Sequence, residues 1–295
     1  MSRLYTEVRG SGPALVLLHG WGLNLRVWDG LTAALSERFR IIAVDLPGHG
    51  RSNWMPERSS LAEQAAQVAE TVGAITAECS LLGWSLGGQI ALQLAAARSS
   101  RKAASPEPAI AVDRSAVDPI AADRGGVGRV AVSGVSVDRL VLIAATPRLT
   151  ASPDWPQGAP PERLAAQALG LETDYQRTVG DFLELQVRGS AGGAAALEEL
   201  RAALFAHGYP SVAALARGLD LLRETDLRPL LPGITLPALV IAGQYDRVTM
   251  PAATHALADS LPNARYVEIR RAAHAPFLSH LPELSTLISD FLPSR

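Results

Sequence analysis

Three residues far apart in the chain, Ser85, Asp246 and His274, are of the types that together perform nucleophilic catalysis. Ser85 lies in Gly83-Trp84-Ser85-Leu86-Gly87, a G-x-S-x-G run. Apolar Cys79-Ser80-Leu81-Leu82 precedes it, and helix-prone Gly88-Gln89-Ile90-Ala91-Leu92-Gln93-Leu94-Ala95 follows. A strand, a tight turn and a helix in that order build a nucleophile elbow, in which glycines remove Cβ atoms that would clash and the serine hydroxyl stands at the head of a helix. In a chain with 25 glycines the five letters alone are weak, and the flanking patterns give them weight. Stripped of that context they describe a Gly-rich turn whose serine merely caps a helix.

A serine hydroxyl needs an adjacent base at neutral pH, and the base needs an acid to fix its tautomer and stabilise the imidazolium. Asp246 follows the apolar run 238–242 through Gly243-Gln244-Tyr245, and His274 follows 266–269 through Arg270-Arg271-Ala272-Ala273. The order Ser, Asp, His is the one used on parallel sheets with an elbow. An aspartate here can also cap the following helix, and a loop histidine can be a hydrogen-bonded structural group. Acyl transfer also needs oxyanion donors. Leu86 supplies the N–H after the nucleophile, and Trp21, in the turn His19-Gly20-Trp21-Gly22 after the run 14–18, supplies the second. The Trp21 indole can wall the pocket or pack in the core. Asp45-Leu46-Pro47-Gly48-His49-Gly50-Arg51-Ser52 reads as a structural turn. The remaining histidines show no recognised metal spacing, so no metal is expected.

These residues must be held by strands, and short apolar runs at 14–18, 41–44, 80–82, 139–143, 238–242 and 266–269 alternate with helical segments. That alternation predicts an α/β fold, a mainly parallel sheet with helices on both faces, and ligands then bind beyond the carboxyl ends of the strands. Residues 99–136, rich in Ala, Ser, Pro, Asp, Arg and Gly, predict a mobile surface insertion. Residues 148–232 carry helical periods between Pro-rich edges and predict a helical cap. The expected division is a core over 1–147, the cap over 148–232 and the rest of the core over 233–295.

The 295 residues carry a formal net charge of -2 and 48% hydrophobic content, which gives no reason to expect nucleic acid or an anionic membrane as partner. Cys79 is the single cysteine, so no intrachain disulfide forms. The N-terminal residues show no apolar signal core and no run of 18 apolar residues occurs, so a cytoplasmic protein is expected, and it is read as a monomer.

Taken together these motifs resemble the α/β-hydrolase superfamily and, within it, the pimeloyl-acyl-carrier-protein methyl ester carboxylesterases of biotin synthesis. The resemblance spans nearly the whole chain outside 99–136. It is carried most specifically by Leu17-Leu18-His19-Gly20-Trp21-Gly22-Leu23-Asn24, Leu82-Gly83-Trp84-Ser85-Leu86-Gly87-Gly88, Gln176-Arg177-Thr178-Val179, Phe182-Leu183-Glu184-Leu185-Gln186 and Ala272-Ala273-His274-Ala275-Pro276-Phe277. It implies the α/β-hydrolase fold with a Ser85, Asp246, His274 triad. It also implies a substrate site of Trp21, Ser85, Leu86, Phe182, Leu183, Glu184, Leu185, Gln186 and His274, no cofactor, and a pimeloyl methyl ester carried on acyl carrier protein. Other hydrolases of this fold, an enol-lactonase or a small-ester esterase, share such a triad, and a non-catalytic binding protein could keep the scaffold. The cap departs from the family's basic docking surface, with eight arginines against eleven acidic residues.

Overall fold

A computed structural model describes residues 3–103, 135–208 and 210–293. Among the described residues, seven strands form one sheet: β1 (Thr6–Arg9), β2 (Ala14–Leu18), β3 (Arg40–Val44), β4 (Glu78–Trp84), β5 (Ser136–Ile143), β6 (Ala238–Gly243) and β7 (Ala264–Ile269). Their order across the sheet is β1-β3-β2-β4-β5-β6-β7. Every neighbouring pair is parallel except β1 and β3. The six apolar runs in the sequence are the six parallel strands. Their central members, Leu15 to Leu18, Leu140 to Ile143 and Leu239 to Ala242, are sealed from solvent because helices cover both faces.

The helices are α1 (Asp29–Leu35), α2 (Leu61–Gly73), α3 (Leu86–Ala103), α4 (Pro161–Thr173), α5 (Tyr175–Val187), α6 (Gly193–Ala206), α7 (Val212–Glu224), α8 (Pro251–Ser260), α9 (Pro276–Ser279) and α10 (Leu281–Phe291). None of them is long and apolar enough to cross a membrane. Helices α4 to α7 follow one another between β5 and β6, where helical periods were expected. Of the insertion expected over 99–136, only the flanks are described: α3 continues through Ala103 and β5 starts at Ser136. Residues 104–134 lie outside the described residues.

The chain runs from β2 outward to β3, then returns to place β4 on the other side of β2. That reversal is a topological switch point, where loops leaving adjacent strand ends diverge and open a crevice. The register pairs Leu18 with Gly83, so the turn after β2 and the elbow after β4 emerge side by side.

Candidate active site

Ser85 is held at φ 56°, in the left-handed region that costs a residue with a side chain about 1–2 kcal/mol. The turn is fixed around it: Ser85 N–H donates to the Ile143 carbonyl at 3.0 Å, and the Ser85 carbonyl accepts from Gly88 N–H at 2.9 Å. A Cβ at Gly83 would stand 2.4 Å from the Gly87 carbonyl oxygen, and one at Gly87 would stand 2.3 Å from that of Leu18. Both glycines are therefore steric requirements of the elbow, as the sequence pattern predicts. Leu86 opens α3, so its N–H belongs to the first turn, whose donors have no partner within the helix.

Asp246 and His274 leave the ends of β6 and β7, and their loops approach so closely that a Cβ on Gly243 would lie 1.9 Å from the Ala273 carbonyl oxygen. Tyr245 N–H donates to the Ala272 carbonyl at 2.7 Å, and Arg271 N–H to Gln244 Oε1 at 3.0 Å. The Asp246 carboxylate divides its work. Oδ1 accepts from the N–H groups of Val248 at 2.8 Å and Thr249 at 3.0 Å, which fixes the turn, and Oδ2 accepts from His274 Nδ1 at 2.8 Å. The turn-capping role open to an aspartate here and the histidine-orienting role are thus filled by one side chain. A carboxylate only accepts, so Nδ1 is the donor in this contact and Nε2 is the ring nitrogen not engaged by Asp246. Both side chains are sealed from solvent, at 1% and 0% exposure.

Trp84 joins this pair to the elbow. It immediately precedes Ser85, its indole N–H donates to the His274 carbonyl at 2.9 Å, and its ring lies 5.4 Å from the imidazole. His274 N–H donates in turn to the Gln186 carbonyl at the end of α5. Nothing in the local sequence announces the Trp84 contact, because its partner is 190 residues away.

The turn after β2 rests on two buried histidines that periodicity does not reveal. His19 Nε2 accepts from Leu46 N–H at 3.0 Å, and His49 Nε2 accepts from Gly22 N–H at 3.2 Å. Their rings lie 5.3 Å apart. Burial pushes the His49 pKa down to about 3, helped by repulsion from His19, and burial likewise lowers that of His19. Both rings stay neutral, as their acceptor roles demand. Asp45, also sealed, accepts from Leu25 N–H, Arg51 N–H and His207. The 45–52 segment therefore has the structural role its turn composition indicates, and His207 ties the end of α6 to it.

Above the elbow lies a cavity of about 250 Å³ whose lining includes Ser85, Trp21, Phe182, Leu185, Leu219, Leu222 and Val248. The Trp21 ring meets Phe182 edge-on at 5.1 Å, and its indole N–H donates to the Leu215 carbonyl. It thus both walls the cavity and packs against α5 and α7. Of the run 182–186, Phe182 and Leu185 line the cavity. Leu183 and Gln186 are buried on another face of α5, and Glu184 is exposed and pairs with Arg201. The helical repeat of 3.6 separates these faces, so a contiguous run cannot share one wall.

The matched region of the alpha/beta hydrolase family covers residues 15–284, and the chain belongs to that family. The chain is 35% identical over 280 residues to a pimeloyl-[acyl-carrier protein] methyl ester esterase of Nitrosomonas europaea, covering 95% of each chain. It is 36% identical over 291 residues to the esterase of the same name from Xanthomonas oryzae pv. oryzae, covering 99% of each. Among solved structures it resembles an esterase from Exiguobacterium antarcticum (TM-score 0.79, 22% identity, 98% and 96% of the two chains). It also resembles an enol-lactonase from Burkholderia xenovorans (TM-score 0.74, 24% identity, 98% and 95%). At those identities the structural likenesses establish the fold.

Proposed function

We propose that the protein hydrolyses the methyl ester of a pimeloyl chain carried on acyl carrier protein, a step of biotin synthesis, through an acyl-enzyme formed on Ser85. The chain is a carboxylic ester hydrolase, as its relatives at 35–36% identity over nearly their full length indicate. The observation that supports the mechanism is the buried His274–Asp246 pair at 2.8 Å, tied through Trp84 to the elbow whose serine lines the cavity.

In this reading His274 Nε2 takes the Ser85 proton as Oγ attacks the ester carbonyl, and Asp246 stabilises the imidazolium. The N–H groups of Trp21 and Leu86 hold the oxyanion. The tetrahedral intermediate collapses with cleavage of the C–O bond to the methoxy group, whose oxygen takes the proton from His274 and departs as methanol, leaving an acyl-enzyme. Water, deprotonated by His274, then attacks and releases the free carboxylate with Ser85 restored. Residues 148–232 act as the cap on a core of 1–147 and 233–295, and their apolar cavity wall receives the acyl chain. No step requires a cofactor, and the reading places the protein in the cytoplasm.

Reaction with a fluorophosphonate tests the nucleophile. A single adduct mapped to Ser85, with turnover abolished in proportion to labelling, is expected. Full turnover after complete labelling elsewhere, or no adduct, overturns the mechanism.

A further inference from the structure

Two helices of the cap face the cavity with one stripe each. From α4 come Arg163, Leu164, Ala166 and Gln167, and from α5 come Thr178, Asp181, Phe182 and Leu185, both spaced as one helical face. The lining changes character with depth. Trp21, Leu164, Leu219 and Leu222 are buried, whereas Arg163 and Asp181 are exposed and mark the mouth. Two polar residues of the lining, Thr178 and Gln167, are half-buried.

Thr178 is already committed, its hydroxyl donating to the Asp174 carbonyl at 2.8 Å. Gln167 is different. Its side-chain Nε2 is shielded from solvent and has no hydrogen-bond partner, the only such buried polar side-chain atom in this lining among the described residues. A desolvated N–H donor left unpaired is destabilising, so its retention in a cavity wall points to an acceptor that arrives with the ligand.

We infer that the Gln167 amide donates a hydrogen bond to the second carbonyl of the substrate, at the far end of the acyl chain from the ester that Ser85 attacks. The inference rests on the pimeloyl reading and deepens it by naming the residue that selects for a chain carbonylated at both ends. With the ester at Ser85, the methylenes lie along Trp21, Phe182, Leu219 and Leu222. In this reading the chain leaves between the exposed Arg163 and Asp181, and Gln167 is the unpaired donor of the lining that its second carbonyl meets. A simple fatty ester would leave that donor buried and unpaired, and a site built to bond a polar group discriminates against ligands that lack it.

The test compares kcat/KM of the wild type and Gln167→Met on the carrier-bound pimeloyl methyl ester, dimethyl heptanedioate and methyl heptanoate. Methionine keeps the length and the helix propensity while removing the donor. The wild type should prefer dimethyl heptanedioate to methyl heptanoate by about 10-fold, and Gln167→Met should lose that preference through KM. Its loss should fall on dimethyl heptanedioate and exceed any change on methyl heptanoate, and an unchanged Tm reports an intact fold. A variant that keeps the preference, or loses equally on both free esters, overturns the inference. A wild type that cleaves the carrier-bound ester without preferring the dicarbonyl ester also overturns the inference while leaving the substrate reading standing. A wild type inactive on the carrier-bound ester, but whose free-ester preference disappears in Gln167→Met, overturns the substrate reading and supports the role of Gln167.

Discussion

The core and cap sides of the cavity are held in different ways. On the core side, Ser85, Asp246 and His274 sit on loops fastened by backbone hydrogen bonds and by glycines that admit no Cβ. On the cap side, the cavity is faced by side chains of α4, α5 and α7, helices joined to the core at scattered points. Trp21 reaches the Leu215 carbonyl, Asn24 the Ala203 carbonyl and His207 the Asp45 carboxylate, while Arg148 with Asp226 and Arg228 with Asp154 clamp the base. Where the chemistry is placed by backbone sterics it tolerates almost no substitution. Where the cavity is shaped by side chains on helices, its dimensions can change while the helices stay intact.

The largest effect expected on this contrast is Ser85→Ala, which should lower kcat by about 10³-fold or more with little change in Tm. In the cap, Phe182→Ala should instead raise KM several-fold, roughly the effect of removing one aromatic contact of ~1 kcal/mol, with kcat nearly kept. Steady-state kinetics on one substrate set checks both, and a kcat loss in the cap variant as large as the Ser85→Ala loss breaks the division of labour.

Next in size is Gly87→Ala. Its Cβ would press on the Leu18 and His19 carbonyl oxygens at 2.3 and 2.6 Å, so a stability loss of about 3 kcal/mol in denaturant unfolding is expected. Gly180, inside α5, has nothing within 4 Å of its missing Cβ. Gly180→Ala should therefore stabilise by about 0.5–1 kcal/mol, the gain of alanine over glycine in a helix.

Acid separates the two regions by where it acts. The pKa of His49 falls from 6.5 to about 3 on folding, so the unfolded chain binds the proton first. The stability this contributes is complete above 6.5 and is lost as pH falls toward 3, at up to about 1.4 kcal/mol per pH unit. In the cap clamp, the hydrogen bond from Arg228 lowers the Asp226 pKa from 3.8 to about 2, so its contribution is lost only between those values. Unfolding free energies measured from pH 7 to 4 should fall in the wild type, and the slope should flatten in His49→Gln.

The contrast also explains how much could be read from the sequence. The elbow is legible because its steric demands lie within five consecutive residues, and the six parallel strands because burial on both faces makes them continuously apolar. Strand β1, with sequence TEVR, was not expected: it is a half-exposed, antiparallel edge whose polar residues match no buried-strand pattern. Asp246 and His274 stand out by chain order and strand-end position, yet the Trp84 link and the His19–His49 support depend on tertiary contacts. The run Phe182 to Gln186 lies on a helix that lines the cavity, which it reaches through Phe182 and Leu185. A count at i, i+3, i+4 and i+7 from Thr178 would have found Asp181, Phe182 and Leu185, and the same period on α4 would have found Gln167.

The substrate is decided by kcat/KM of the wild type for the pimeloyl methyl ester on acyl carrier protein, set against free short-chain esters and enol-lactones. A preference of at least about 10²-fold for the carrier-bound pimeloyl ester is expected, the scale on which several cap contacts add to the shared chemistry of the core. An equal or greater rate on a lactone or a short ester would contradict it.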